Sequence, residues 1–483
     1  MKIFKDKNKK QSILSVILFL VIIALYLEIN ILLNKINIKD IDFTDSKLYS
    51  ITSESKEKIS KIDKDIEINL INFDNYSSYR PIEDVVNLIK EYSEVNNKIS
   101  VKNSESEDAN ESNYPYINIS ANGKEQIISL DDLFLYKYST DTYSDDEYYL
   151  TEEVITNTLV NIAKESEKKT YIYLEKSVYN EKYFSTLIKR IKYMGNGIEK
   201  LELSKNNNIP EDCNCLVIPP LSTDISDQEK NIIVDYINNG GNIMFLEESK
   251  SLLKTETPNL NFIMNLYGFS ISEGVIIETD NRVQKDPGVI YANINLDNDI
   301  YKTLNKNSKI TLVDTGKINL ENEEKLKELG VSYKVLINSG NTAYLRTDMS
   351  NTSTEISDSD TKIENEIIGL SIIRKNGDNE SKAIVYANSL FATNQGIYVQ
   401  DVVTEKNVGV ELVKLNDNEE ILVDSIKYLT ENNDTVIKRK RHYNSVPSIN
   451  LLKDGITLKL VFVLPMIIIF IGYFVWRYRR NMK

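Results

Sequence analysis

The stretch Cys215–Leu246 reads CLVIPPLSTDISDQEKNIIVDYINNGGNIMFL. Its apolar run Cys215–Ile218 is typical of a buried strand, and the spacing of apolar residues in Asp227–Asn238 predicts a helix. The short run Asn242–Leu246 predicts a second strand. The pair Gly240–Gly241 lies where a helix C-cap belongs, whereas a phosphate-binding loop would follow a strand and precede a helix. The stretch therefore predicts a strand, a helix and a strand, with the glycines ending the helix.

The same alternation continues on both sides of this stretch. It predicts further strands and helices at Thr170–Leu174, Glu181–Met194, Ile198–Leu203, Glu366–Ile373, Ala383–Ala387 and Glu419–Leu429. Residues 250–365 are less regular and contain a low-complexity loop, Asn351–Thr361, so we interpret them as an insertion. Strands that alternate with helices at this spacing indicate an α/β domain with a doubly wound parallel sheet over residues 151–432.

A second α/β region precedes it. Ile66–Phe73 is predicted to be a strand, and Pro81 opens a predicted helix. Strands at Lys98–Val101, Tyr116–Ile119 and Glu125–Leu130 follow. A β-α-β unit and then a hairpin match the order of a thioredoxin-like domain over residues 43–140. The chain has no C-x-x-C pair, which excludes thioredoxin chemistry.

Both ends of the chain carry long apolar runs beside basic clusters. We predict a transmembrane helix at 11–33 after a basic leader, 1–10, and another at 457–476 before a basic tail, 477–483. The lysines and arginines put both termini in the cytoplasm. Everything between, including a stalk at 433–456, would then be extracytoplasmic. A cleaved signal peptide is the alternative at the first run, but no small-x-small cleavage site follows it.

Composition excludes several classes of function. The formal net charge is −14 although both ends are basic, so the middle of the chain would repel nucleic acid. Cys213 and Cys215 would share one face of a strand, too close for a good disulfide, and we interpret them as small buried side chains. His442 is the only histidine, and no P-loop, G-x-S-x-G or H-E-x-x-H motif occurs. We therefore predict no catalytic, cofactor-binding or metal-binding residues and no enzymatic activity.

One acidic pair is a weak candidate for a ligand site. Glu247 and Glu248 follow the strand Asn242–Leu246, at the edge where doubly wound sheets bind ligands. Other pairs, such as Asp145–Asp146, are expected by chance among 72 acidic residues. A solvated surface is the alternative interpretation for each pair.

Five segments in a fixed order resemble those of GldG-like auxiliary subunits of ABC transporters, the family associated with gliding motility. They are Phe43–Ser55 (FTDSKLYSITSES), Ile66–Phe73 with its following helix, the segment from Ile209 through Pro219–Pro220 to Asn242, Ala383–Asn394 (AIVYANSLFATN), and Phe462–Arg480. The fourth departs from the family pattern, because Ala387 and Asn388 replace its Gly-Asp.

The resemblance implies a fold and partners. It implies that the larger outer domain is similar to class I glutamine amidotransferases without their catalytic machinery, and it supplies no catalytic residues. It also implies a separate permease and ATPase beside the lipid bilayer, and it identifies no substrate.

Three hypotheses follow. The first is a non-enzymatic, membrane-anchored auxiliary subunit of an ABC transporter in the plasma membrane, whose extracytoplasmic domain binds or gates a substrate. The second is a stand-alone surface module that binds glycan or peptide through some of its 29 tyrosines. The third is a hydrolase that uses carboxylates, with Glu247 and Glu248 as its best candidates.

Overall fold

A computed structural model describes residues 50–432 apart from 77–79, 106–113, 122, 140–143, 165–167, 284–285, 352, 354 and 401–406, together with 441–442, 472, 475 and 477–478. The chain divides into two units, Met1–Ser50 and Ile51–Lys483, and the fold below is that of the second. The predicted membrane segments, basic ends and stalk lie outside the described residues, except at those last few positions. Within the described part of the chain, no helix has both the length and the apolar character needed to cross a bilayer.

The second unit is a mixed α/β structure. Its α-helices are α1 Ser53–Ser60, α2 Arg80–Val95, α3 Thr151–Ala163, α4 Ser185–Tyr193, α5 Asp227–Asn238, α6 Lys250–Leu253, α7 Pro258–Leu266, α8 Glu323–Glu328 and α9 Asn418–Thr430. The strands of its first half are β1 Ile66–Ile71, β2 Ile99–Ser104, β3 Tyr116–Ala121, β4 Lys124–Ser129, β5 Phe134–Ser139, β6 Ser144–Tyr149, β7 Lys169–Tyr173, β8 Gly197–Leu201, β9 Cys213–Ile218 and β10 Asn242–Leu246. Those of its second half are β11 Phe269–Ile271, β12 Val275–Glu278, β13 Val289–Ile294, β14 Ile310–Val313, β15 Ile318–Leu320, β16 Val331–Asn338, β17 Ala343–Arg346, β18 Thr361–Lys362, β19 Ile367–Asn376, β20 Asn379–Tyr386, β21 Gly396–Gln400, β22 Asn407–Glu411 and β23 Arg441–His442.

The first four strands form a small sheet in the order β2-β1-β3-β4. β1 and β2 are parallel, while β3 is antiparallel to both β1 and β4. α2 connects the parallel pair and buries Ile82, Val85, Ile89 and Tyr92, as the helical spacing of these residues predicts. The predicted order of a β-α-β unit followed by a hairpin is confirmed.

The helix α3 joins this small sheet to the rest of the unit. It packs against β3 and β4 and also against α4, so residues 151–159 are all buried. Glu152 accepts hydrogen bonds from the backbone N–H of Thr52 at 2.7 Å and from the Ser55 hydroxyl at 2.5 Å, at the start of α1. The next residue, Glu153, pairs with the buried Arg190 of α4. The adjacent residues Glu152 and Glu153 therefore connect α3 to the start of α1 and to α4, respectively.

A nine-stranded sheet in the order β14-β13-β16-β19-β20-β10-β9-β7-β8 forms the larger region. The five strands β8, β7, β9, β10 and β20 are parallel. Helices cover both faces, since α4 and α9 pack into one apolar cluster and α5 and α7 into the other. Within this parallel part, the chain passes from β7 to β8, its neighbour on one side. It then continues to β9 and β10, which lie on the other side of β7. The strand order therefore reverses between β7 and β9.

The segment around α5 forms as its sequence predicts. Ser226 caps the helix in a capping box, in which its hydroxyl accepts from the Glu229 N–H at 3.2 Å and its own N–H donates to the Glu229 carboxylate at 2.7 Å. At the other end, the N–H of Gly240 donates to Ile237 O and that of Gly241 to Tyr236 O, a Schellman motif with Gly240 at φ 91°. The glycine pair therefore ends the helix.

Part of residues 250–365 extends the same sheet. β13, β14 and β16 add antiparallel strands beyond β19, while β12, β17 and β18 form a separate small sheet. α7 was not predicted, although it begins with Pro258 at its first turn, where the missing N–H of proline is tolerated. Arg441 and His442, within the predicted stalk, pair with Tyr149 and Tyr148 of β6.

The prediction that Cys213 and Cys215 share one face of their strand is wrong. Both are buried and free, as predicted, but they pack into opposite apolar clusters, Cys213 into one and Cys215 into the other. The cause is a β-bulge, because Lys169 and Thr170 of β7 pair with Cys213 and Cys215 and leave Asn214 without a strand partner. The extra residue reverses the side-chain alternation.

The low-complexity segment Asn351–Thr361 is organised around one arginine. Arg346 is 5% exposed and its guanidinium binds both carboxylate oxygens of Asp360, at 3.1 and 2.8 Å. It also donates to the backbone carbonyls of Ser353 at 2.8 Å and Glu355 at 2.9 Å. The guanidinium therefore satisfies carbonyls that a short loop cannot pair by itself.

We expect Arg346→Met to loosen this loop, because it removes the cation that binds Asp360 and the donors to the carbonyls of Ser353 and Glu355. The expected loss of stability is about 1–3 kcal/mol, with faster proteolytic cleavage between residues 347 and 361. Limited proteolysis followed by mass spectrometry would measure it. The control is Lys362→Met, which removes an exposed ion pair with Glu364 and should change cleavage little. Equal cleavage of the Arg346 variant and the wild type would contradict the prediction.

Candidate functional site

The crevice where open α/β sheets usually bind ligands is closed in this protein. Such ligands lie outside the carboxyl ends of the strands, where the strand order reverses, which here is between β7 and β9. The loops after these two strands bond to each other, with Val178 N–H donating to Pro220 O at 2.8 Å and Ser222 N–H to Lys176 O at 2.7 Å. Ser177 and Leu221 form a bridge between them.

A buried carboxylate stabilises the loop after β7, one of the two loops that close this crevice. Glu229 accepts hydrogen bonds from Lys176 Nζ at 2.5 Å and from the Tyr173 hydroxyl at 2.9 Å. Burial opposes its ionisation, but the hydrogen bonds from Lys176, Ser226 and Tyr173 outweigh burial and lower the pKa of Glu229 to about 2. Since every group here is paired within the protein, we assign it a structural role.

The next strand along, β10, carries the predicted pair at its carboxyl end. Glu248 is 7% exposed, and its Oε1 accepts from the Tyr179 hydroxyl at 2.7 Å and from the Ser389 hydroxyl. Tyr179 follows β7 and Ser389 follows β20, so two loops converge on this carboxylate. No donor from the described residues reaches its Oε2 within hydrogen-bond distance. One oxygen of Glu248 is therefore held in place while the other is left to accept.

Glu247 is buried at 4% exposure. Its backbone N–H donates to Tyr386 O at 2.9 Å and continues the ladder between β10 and β20. Its Oε1 is buried and has no hydrogen-bond partner within the part of the chain that the structure describes. Burial, and then the charge of Glu248, raise the pKa of Glu247 to about 8, against a smaller opposing effect of Lys250. Such a carboxyl group lacks the partners that buried charges ordinarily have.

Three loops fix the position of these glutamates. Gly316, after β14, donates its N–H to Ala387 O at 2.8 Å, and Asn388 Nδ2 donates to Val313 O at 2.6 Å. A Cβ at Gly316 would lie 3.2 Å from the Cα of Ser249, so the loops after β14 and β10 approach closely at a glycine. The loops after β10, β14 and β20 thus form one connected platform.

Two aspartates extend the negative charge outward. Asp314, on the loop after β14, is exposed and adopts φ 49°, and its N–H donates to Gly288 O at 2.9 Å. Loss of solvent around its carboxylate, then the charges of Asp286 and Glu248, raise the pKa of Asp314. Asp286 is exposed beside it. We call Glu247, Glu248, Asp286 and Asp314 the acidic junction.

The structure places the predicted pair at the predicted sheet edge and adds residues that the sequence analysis missed. Tyr179, Asp286, Asp314 and Ser389 come from segments far apart in the chain. Only Ser389 had a signal, since it lies within the AIVYANSLFATN segment. The side chains of the alternative pair Asp145–Asp146 lie outside the described residues.

The side chains of the acidic junction are carboxyl groups, and the neighbouring donors to Glu248 are hydroxyls. Residues 50–432 contain no histidine, so Ser389 has no imidazole base there. Among the described residues, no group of three or more His, Cys, Asp or Glu side chains is arranged to hold a metal ion. The described residues supply the carboxyl groups of Glu247 and Glu248 at the end of β10 and the hydroxyls of Tyr179 and Ser389 that bond to Glu248.

No family model and no curated protein matches the sequence. Solved structures with some similarity include the mmIFT52 N-terminal domain, at 14% identity over 56% of this chain and 100% of that chain, with a TM-score of 0.38. A ThuA-like protein from Bacteroides uniformis matches at 13% identity over 55% of this chain and 93% of its own, with a TM-score of 0.31. Another, from Parabacteroides merdae, matches at 10% identity over 56% and 94%, with a TM-score of 0.31. These likenesses are too distant to bear on activity or partners.

Proposed function

We propose that this chain is a non-enzymatic auxiliary subunit of an ABC transporter, anchored in the plasma membrane, with an extracytoplasmic domain that binds or gates substrate. The observation that carries the binding role is the acidic junction, where Glu247 and Glu248 are buried at the carboxyl edge of a parallel sheet and Glu247 Oε1 has no hydrogen-bond partner among the described residues. Binding requires only such placed polar groups.

The membrane and transporter parts of this proposal rest on the sequence. Apolar segments 11–33 and 457–476, each flanked by basic residues, support two spans with both termini in the cytoplasm. The ordered segments that resemble GldG-like subunits support a separate permease and ATPase as partners. In the same proposal, residues 43–140 are thioredoxin-like, and residues 151–432 are a doubly wound domain similar to glutamine amidotransferases.

Co-purification tests the transporter assignment. We expect the tagged full-length chain, extracted in mild detergent from its native membrane, to retain a permease and an ATPase in a fixed ratio. An unrelated tagged two-span protein from the same membrane serves as the control. Repeated recovery of the chain without either partner, under conditions that preserve known transporter complexes, would contradict the assignment.

A stand-alone glycan- or peptide-binding module is the second candidate. The observation that favours it is exposed aromatic surface, with Tyr398 at 81% exposure on β21 and Tyr183 at 40%. Exposed tyrosines can stack on sugars and peptides. A glycan array probed with the full-length protein in detergent would separate the two. Binding that is lost in Tyr398→Ala, from a protein that co-purifies with no transporter, would favour the second candidate.

A further inference from the structure

We propose that Asn376 is a modification site, at which the Asn376–Gly377 dipeptide reacts with water and is deamidated to an aspartyl or isoaspartyl residue. Asparagine is among the residue types that proteins lose chemically. The proposal concerns the hairpin between β19 and β20, and it rests neither on a transporter partner nor on a ligand.

Asn376 and Gly377 lie at the tip of this hairpin. Asn376 pairs with Asn379, so Gly377 and Asp378 form a two-residue turn, in which Gly377 adopts φ 62°. A glycine in the first position of such a turn is typical of type II′. Asn376 and Gly377 are both exposed, and no atom of the described residues, other than the chain neighbours of Gly377, lies within 4 Å of where its Cβ would be. The turn therefore leaves room for a ring to form between the two residues.

The nucleophile of the reaction is the main-chain nitrogen of Gly377. This nitrogen loses its proton to solvent and attacks the side-chain carbon Cγ of Asn376, and Nδ2 leaves as ammonia. Water then opens the cyclic succinimide at either of its carbonyls, which gives the aspartyl or the isoaspartyl product. The attack requires that the N–H of Gly377 is not held elsewhere, and it donates no hydrogen bond to any of the described residues.

Other Asn-Gly pairs with the same local sequence are held differently. Asn239 is exposed like Asn376, but the N–H of Gly240 donates to Ile237 O at 3.0 Å in the cap of α5. The hydrogen bond must break before the nitrogen of Gly240 can attack. Exposure of the asparagine is therefore shared by the two sites, and the state of the glycine N–H distinguishes them.

Asn196 is protected twice. It is 1% exposed, and its Nδ2 donates to Thr430 Oγ1 at 3.2 Å. The N–H of Gly197 donates to Lys168 O at 2.9 Å and continues the pairing of β8 with β7. Asn122, in the remaining Asn-Gly pair, lies outside the described residues.

The two products should differ in their effect on the hairpin. Asn376 Nδ2 and a guanidinium nitrogen of Arg374 both donate to Asn238 Oδ1, at 3.2 and 2.9 Å. A carboxylate at position 376 would therefore lie beside a cation. An isoaspartyl residue instead adds a carbon atom to the main chain, which a two-residue turn of fixed register cannot absorb. We expect the aspartyl form to retain the pairing of β19 with β20 and the isoaspartyl form to lose it near the tip.

Mass spectrometry of the full-length protein, incubated in detergent at mildly alkaline pH, tests the proposal. Samples taken over several weeks are digested at acidic pH, and their peptides give the converted fraction at Asn376, Asn239 and Asn196. We expect Asn376 to convert about tenfold or more faster than the other two sites, because their glycine N–H groups must first break a hydrogen bond. Enzymatic methylation of isoaspartyl residues should label the peptide that contains position 376 in the same samples.

Two controls separate the effect of the fold from that of the sequence. In urea, the three Asn-Gly pairs should convert at similar rates, because the hydrogen bonds that distinguish them are lost. Asn376→Gln, at an exposed position, should remove the fast conversion and leave the rates at Asn239 and Asn196 unchanged. Equal rates at Asn376 and Asn239 in the folded protein would overturn the proposal. An unconverted Asn376 in the folded protein, beside conversion in urea, would overturn it as well.

Discussion

Replacing Glu247 with glutamine should stabilise the folded chain at pH 8. The pKa of Glu247 is raised from 4.5 to about 8 in the folded protein, so the native state holds a proton that the unfolded chain releases. Below pH 4.5 both states are protonated and the group costs nothing. As the pH rises from 4.5 to 8, the free energy of unfolding falls, and the total loss at pH 8 is roughly 3–5 kcal/mol. Glutamine stays neutral and avoids this loss.

Urea unfolding of the full-length protein in detergent, repeated between pH 4.5 and 8.5, measures the effect. We expect the wild-type and Glu247→Gln curves to meet near pH 4.5 and to separate steadily above it. Glu229→Gln supplies a comparison of opposite sign, because the pKa of Glu229 is lowered to about 2. That variant should be less stable than the wild type at pH 7, by a margin that shrinks as the pH falls below 4.5 towards 2. Parallel wild-type and Glu247→Gln curves would contradict the prediction.

This result would bear on function as well as on stability. A carboxyl group that weakens the fold at neutral pH is often found at a functional site, where its cost is recovered when a ligand binds. If a ligand binds through Glu247, the same substitution would raise stability and lower affinity, a combination that a purely structural role does not produce.

Local signals account for the parts of the fold that the sequence predicted well. α5 and β10 begin and end at the predicted residues, because Ser226 caps the helix and Gly240 ends it. The apolar spacing of α2 likewise identified that helix. Each of these signals lies within a few residues of the feature that it determines.

The remaining features depend on contacts between distant residues. Three strands of residues 250–365, β13, β14 and β16, add to the edge of the large sheet, and no local pattern states which strand a neighbour will pair with. The bulge at Asn214 arises from pairing with β7 and reverses the side-chain direction that simple alternation predicts. Tyr179 and Ser389 reach Glu248 only because the loops after β7 and β20 meet the loop after β10. The position of Glu247 and Glu248 at the sheet edge was therefore predictable from the sequence, whereas the side chains that surround them were not.

Arg190 should prove the most important single charge for holding the two α/β regions together. It is 5% exposed on α4, and it pairs with Glu153 of α3 and Glu419 of α9. Burial opposes its charge, but the two carboxylates outweigh burial and raise the pKa of Arg190. Arg190→Met would leave Glu153 and Glu419 buried without this cation, at a cost of about 3–5 kcal/mol. The loss should appear as a lower urea midpoint at pH 7.

Two comparisons separate the charge from the packing. Acidification should reduce the loss in Arg190→Met, because protonation of the abandoned glutamates removes the buried charges that destabilise the variant above about pH 4.5. The triple variant Arg190→Met/Glu153→Gln/Glu419→Gln should recover much of the stability at pH 7, since it buries no charge at these positions. If the single and triple variants were equally unstable, and acid had no effect on either, the arginine would act through its packed side chain. The prediction that ion pairs hold α3, α4 and α9 together would then be wrong.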